Sequence, residues 1–214
     1  MNLQASLNEF RNEFLAQIPP EAAALMENET LKLEEEFKNR KLFTVGDIAP
    51  DFTLPNASDQ QINLQNYLAK GPVILNFYRG GWCPYCNLEL RAYQQILPEI
   101  KSIGASLIAI SPQTPDNSLS TAEKNDLEFD VLSDVGFEVA KAYGLIFALP
   151  EKLQKLYANW GTSLPEVNGI DGWTLPVPAT FVLAPDGRII LADVNADYTQ
   201  RLEPQKALEA IKSL

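Results

Sequence analysis

Histidine is missing altogether from this 214-residue chain, and cysteine occurs only twice. The absence of imidazole excludes histidine general-base chemistry, the serine and cysteine triads built on it, and most zinc and iron sites. Two cysteines cannot complete a structural zinc site unless two copies of the chain pool four of them. Basic residues are also scarce, with 17 Lys and Arg against 28 Asp and Glu, a formal net charge of -11 at pH 7. That excess repels nucleic acid and anionic membrane surfaces, so neither is expected as a partner. No apolar run approaches the ~20 residues of a membrane span. The opening stretch from Met1 to Glu9 lacks the basic and apolar regions of a secretory signal. A cytoplasmic protein without metal or cofactor is expected.

What the chain does hold is concentrated. Its two cysteines are Cys83 and Cys86, in Trp82-Cys83-Pro84-Tyr85-Cys86, directly after the apolar run Val73 to Tyr78 and the turn Arg79-Gly80-Gly81. A buried strand, a glycine turn and a proline that opens a helix would place Cys83 at a helix N-terminus, where backbone N–H groups favour the thiolate. In a reducing compartment a close cysteine pair is catalytic more often than structural. Cys86, one helical turn on, is positioned to resolve what Cys83 forms. Arg79, four residues before Cys83, is the candidate cation that lowers its pKa.

With 46% hydrophobic residues the chain can bury a full core, and its length fits one domain with an appendage. Residues 1–42 read as a helical N-terminal extension. Leu3, Leu7, Phe10, Phe14, Leu15 and Ile18 recur at helical spacing up to Pro19-Pro20, and a second, charged helix runs from Glu21 to Phe43. Such a stripe fits equally a hairpin packed on the main domain and a dimerisation arm.

From residue 43 to 214 short strands alternate with helices. Strands are expected at Asp51 to Leu54, Gln61 to Leu64, Val73 to Tyr78, Ala105 to Ile110, Phe129 to Leu132, Ala179 to Ala184 and Arg188 to Leu191. Helices are expected from Pro84 to Lys101, bent at Pro98, and at Leu119 to Leu127, Asp134 to Tyr143, Pro150 to Asn159 and from Pro204 onward. The order predicts an α/β fold, a central mixed sheet flanked by helices whose last two strands are antiparallel. The remainder of Leu145 to Trp173 reads as a long loop and a candidate wall of the site.

Several motifs resemble known proteins. Cys83-Pro84-Tyr85-Cys86 after a tryptophan resembles the thioredoxin and glutaredoxin centre, and Val177-Pro178-Ala179-Thr180-Phe181 resembles that superfamily's cis-proline segment. Val45-Gly46-Asp47-Ile48-Ala49-Pro50-Asp51-Phe52, Val131-Leu132-Ser133-Asp134 and Phe181 to Ile189 are similar to the opening, middle and closing hairpin of peroxiredoxins. The chain from about 45 to 195 thus looks like the alkyl hydroperoxide reductase and thiol-specific antioxidant family, with a thioredoxin-like fold. Counted back from Cys83, Asn76 and Gly80 stand where that family's loop has proline and a hydroxyl residue, and its arginine falls at Pro178.

The resemblance implies an antioxidant enzyme that reduces hydrogen peroxide or organic hydroperoxides through a Cys83/Cys86 dithiol-disulfide cycle. Thioredoxin, or a glutathione or glutaredoxin-type reductant, would restore it. A protein disulfide reductase or isomerase and a redox-sensing interaction protein are the alternatives, and a homodimer is possible. Catalysis is assigned to Cys83, Cys86 and Arg79; substrate contacts are assigned to Trp82, Pro84, Tyr85, Val177 and Pro178. Pro178 is expected in the cis form, bringing the backbone of Val177 beside the sulfurs. Asp51, Glu89 and Asp134 could relay protons, or serve as caps and surface charges.

Overall fold

The structure is a computed structural model and describes residues 2–214. Two helices come first, α1 (Leu3–Gln17) and α2 (Pro20–Lys38), followed by the small hairpin β1 (Thr53–Pro55) and β2 (Gln61–Asn63) and the one-turn helix α3 (Leu64–Leu68). Then come β3 (Val73–Phe77), α4 (Pro84–Ser102), β4 (Ser106–Ser111), α5 (Pro115–Lys124), β5 (Asp130–Ser133) and α6 (Glu138–Ala142). The chain continues through β6 (Ile146–Ala148), α7 (Glu151–Asn159), α8 (Leu164–Asn168) and β7 (Thr174–Pro176). It closes with β8 (Ala179–Leu183), β9 (Ile189–Val194) and α9 (Pro204–Lys212).

The central sheet has the order β5-β4-β3-β8-β9. β4 runs parallel to β3 and to β5, whereas β8 is antiparallel to both β3 and β9, so the mixed α/β sheet expected from the sequence is present. β3 sits in the middle and is buried along its whole length, which is why it reads as an unbroken apolar run. Its side chains alternate. Val73, Leu75 and Phe77 enter the core formed with Leu64, Leu68, Tyr143 and Phe181, while Ile74 packs with Tyr93, Leu97, Val182 and Leu208 from α4, β8 and α9. Asn76 lies on the same face as Ile74 and therefore points towards α4, where it donates to Glu89.

α1 lies across α4, burying Leu3 and Leu7 with Tyr85, Cys86 and Leu90. Its N-terminus is held from the far end of the chain: Glu203 accepts from the backbone N–H of Leu3 at 3.1 Å and of Gln4 at 2.8 Å. The carboxylate satisfies first-turn donors and complements the helix dipole. α2 packs Met26 against Leu149, Leu153 and Tyr157, beside α7.

The structure corrects three expectations. The second helix ends at Lys38 rather than Phe43, because Arg40 turns inward to the carbonyls of Gly144 and Ile146 and Phe43 packs against the main core. The stretch Leu145 to Trp173, read as a long loop around one helix, also holds β6 and α8, and β6 pairs with β7 just after it; elements of three to five residues are too short to show a period. The helix expected from Pro84 to Lys101 is present as α4, with Pro98 inside it. No peptide bond among the described residues is cis, so Val177-Pro178 is trans. That segment carries the chain straight from β7 into β8, with Val177 N–H donating to Leu145 and the Pro178 carbonyl accepting from Asn195.

Candidate active site

The turn between β3 and α4 is shaped by its neighbours. Tyr78 N–H donates to the Ile110 carbonyl at 3.0 Å, adding one rung to the sheet before the chain bends. At Gly80, with φ of 142°, a side chain would run into the Trp82 indole, and at Gly81 into Thr121, so both positions need glycine. Gly81 is gripped from two sides: its N–H donates to Gln113 at 2.7 Å, and its carbonyl accepts from the Asn87 amide at 2.8 Å. Cys83 then caps α4 and Pro84 occupies the first helical position, where its missing N–H costs nothing. The Cys83 side chain makes no capping bond, which leaves its sulfur free for other partners.

Those partners are cationic. Arg79 Nη1 lies 3.8 Å from Cys83 Sγ, and its Nη2 donates to the Tyr157 hydroxyl at 2.7 Å. The guanidinium is buried in an aromatic cage, 4.4 Å from the Tyr198 ring and 4.9 Å from that of Trp82. Burial pushes the Cys83 thiol up, but a hydrogen bond from Cys86 and the charges of Arg79 and Arg201 outweigh it and bring it down to about 5. Cys86 moves the other way: it is fully buried, and the neighbouring Cys83 thiolate discourages a second negative charge. Both cysteines are free thiols. Cys83 is thus held as the anion, while Cys86 keeps its proton.

Behind Cys86 lies a polar chain inside the core. Arg201 Nη2 lies 3.5 Å from Cys86 Sγ, and its Nε donates to Glu89 at 2.7 Å. Glu89 also accepts from Asn76 at 2.9 Å, and Asn76 reaches Thr180 at 3.2 Å. The Arg201–Glu89 pair is almost wholly buried. Burial lifts the Glu89 carboxyl to about 7 against the pull of Arg201. The Tyr198 and Gln200 carbonyls hold Arg201 in place.

Access to Cys83 is through a cavity of about 110 Å3. Arg79, Trp82, Cys83, Pro84 and Tyr85 all border it, so five of the residues singled out in the sequence meet there. Cys86 lies beneath them. Val177 and Pro178 do not border the cavity; Val177 belongs to the main core, where the trans peptide leaves it. Asp134 is a helix cap, accepting from the N–H groups of Val139 and Ala140, and Asp51 is exposed. Pro178 does not need to supply the missing cation, since Arg79 and Arg201 already stand beside the two sulfurs. Arg201, Tyr157 and Tyr198 carried no local motif to reveal them; only the fold brings them to the turn.

Known proteins give the same frame. The profile of the AhpC/TSA family matches residues 45–192. A protein of Mycobacterium tuberculosis that bears the name peroxiredoxin is 31% identical over 156 residues, covering 73% of this chain and 88% of its own length. The thiol-disulfide oxidoreductase ResA of Bacillus cereus is 27% identical over 168 residues, covering 78% of this chain and 79% of the relative. Among solved structures, peroxidoxin BcpB of Mycobacterium tuberculosis is similar with a TM-score of 0.64 at 23% identity, covering 80% of this chain and 98% of that one. At that identity the likeness speaks for the fold. α1, α2, Tyr198 and Arg201 all lie outside the matched residues.

Proposed function

The chain belongs to the AhpC/TSA family, and from that premise we propose that its thiol-dependent peroxidase activity runs through Cys83 as nucleophile and Cys86 as resolving thiol. The observation that carries this reading is the Cys83 sulfur, 3.8 Å from a caged guanidinium at the base of the cavity. The thiolate sulfur attacks the terminal oxygen of a hydroperoxide. The O–O bond breaks, the alkoxide or hydroxide leaves with a proton from solvent, and Cys83 becomes a sulfenic acid. Cys86 then forms the disulfide and water leaves, taking the sulfenic hydroxyl and the Cys86 proton. Arg201 stabilises the charge that grows on Cys86 during this step, and Glu89 compensates Arg201.

A dithiol restores the pair by exchange, with thioredoxin or a glutathione or glutaredoxin-type donor as the reductant. No described helix is long and apolar enough to cross a membrane, and the reading places the dithiol in a reducing cytoplasm, where such a pair is kept able to cycle. A homodimer is compatible with this reading. Peroxide consumption by the wild type and none by Cys83→Ser is the expected result; equal consumption by both removes Cys83 from the chemistry.

The second reading, reduction of protein disulfides, draws on the Cys83-x-x-Cys86 spacing and on the likeness to ResA. Burial favours the first. Cys83 is 1% exposed beneath aromatic side chains, a setting that admits a small peroxide more readily than the extended backbone of a protein disulfide. Rapid reduction of insulin disulfides with peroxide left untouched would reverse that order.

A further inference from the structure

We infer that the cavity over Cys83 recognises hydroperoxides carrying one aromatic ring or a similarly compact apolar group, and that the N-terminal helices decide this preference. The inference rests on the peroxidase reading above and adds what the site selects.

The walls are of mixed origin. Cys83, Pro84 and Tyr85 form the floor, whereas Phe10 and Phe14 come from α1 and Met26 from α2, helices that precede the family-matched residues 45–192. Trp160 and Thr162, just after α7, complete the lining. The aromatic faces are held in fixed orientations: Phe10 meets Tyr85 edge-on at 5.1 Å, and Phe14 meets Trp160 edge-on at 5.8 Å. Beside the Cys83 thiolate, Arg79 is the only charged residue on the wall among the described residues, and it is already engaged with Cys83 and Tyr157. The lining therefore offers apolar surface and little charge.

Size narrows the class further. A dry apolar cavity of roughly 150 Å3 takes up benzene, and about 110 Å3 open to solvent at one side is on that single-ring scale. Hydrogen peroxide would leave most of this surface wet and unused. Arg79 Nε and Trp82 Nε1 are buried N–H groups with no acceptor among the described residues, and both residues border the cavity. The organic group would sit against Phe10, Phe14 and Trp160 with its peroxide end towards Cys83. The covalent step is the one given above, with the alcohol of the organic group as the leaving product.

The test compares kcat/KM for cumene hydroperoxide and hydrogen peroxide, with dithiothreitol as reductant, in the wild type, Phe14→Ala and Thr162→Phe. The wild type should favour cumene hydroperoxide by about tenfold or more, and Phe14→Ala should lower the ratio by about tenfold, the worth of one lost aromatic contact. Thr162→Phe narrows the cavity from the segment after α7 and leaves the sequence of α1 unchanged, and should lower the ratio as well. A wild-type ratio at or below one, or a ratio that neither variant moves, overturns the inference while leaving the peroxidase reading intact. No turnover of either peroxide by the wild type overturns that reading, and the inference falls with it.

Discussion

Replacing Arg79 with methionine should raise the pKa of Cys83 by about two units, because it removes the nearest positive charge while keeping most of the volume. The guanidinium stands 3.8 Å from the sulfur. At that distance an effective dielectric of about 20 gives an attraction of roughly 4 kcal/mol, or about three pKa units. The net worth of a charge-assisted hydrogen bond is smaller, about 1.5–3 kcal/mol, which sets the expectation nearer two. Arg201 and the Cys86 hydrogen bond remain, so the thiol moves from about 5 only part of the way back to its ordinary value. At pH 6 the thiolate fraction would drop from about nine-tenths to about one-tenth, and alkylation would slow about tenfold.

The measurement is the pH profile of iodoacetamide alkylation with Cys86 in place, where the raised pKa and burial of Cys86 leave Cys83 as the thiol that reacts at low pH. Arg79→Lys should restore part of the shift, since it returns the charge without the fork or the stacking. The same shift enters stability with a definite sign. A lowered thiol pKa stabilises the folded chain fully above the usual thiol range, and that stabilisation drains away as the pH falls through about 5. An alkylation profile in Arg79→Met that overlays the wild type would refute the electrostatic account of Cys83.

Cys86→Ser should still react with peroxide but stop at a sulfenic acid or mixed disulfide on Cys83, and intact-mass spectra without an adduct would reverse the assigned roles. Glu89, raised by burial from the usual 4.5 to about 7, favours the folded state below pH 4.5 and loses that contribution as the pH rises through 7. Glu89→Gln should therefore flatten the decline of urea midpoints over that range; an undiminished slope would assign it to another group. Glu203→Ala removes both acceptors at the start of α1 and should cost the helix about 1–2 kcal/mol. Amide exchange in α1 and alkylation of Cys83 should then speed up together, and faster exchange with unchanged alkylation would show that α1 does not guard the sulfur.

The sequence alone determined whatever rests on neighbours within a turn or a strand. Val73 to Phe77 had to be a central strand because it is apolar on both faces, and Pro84 had to open the helix that Cys83 caps. The absence of histidine left the cysteine pair as the evident chemistry. Arg79 was legible as a cation beside Cys83, although its tyrosine and tryptophan cage was not.

Tertiary structure decided what joins distant segments. Arg201 reaches Cys86 from 115 positions away, and a lone arginine before a terminal helix looks like any surface charge in one dimension. Phe10 and Phe14 had a helical period that said only that they face something; packing against α4 and α7 made them walls of the cavity. Pro178 shows the reverse case, where a motif fixed its place at the head of β8 while the extended path from β7 set its peptide as trans. Spacing along a chain constrains groups one helical turn apart, but contacts across a hundred residues exist only once the sheet has brought its strands into register.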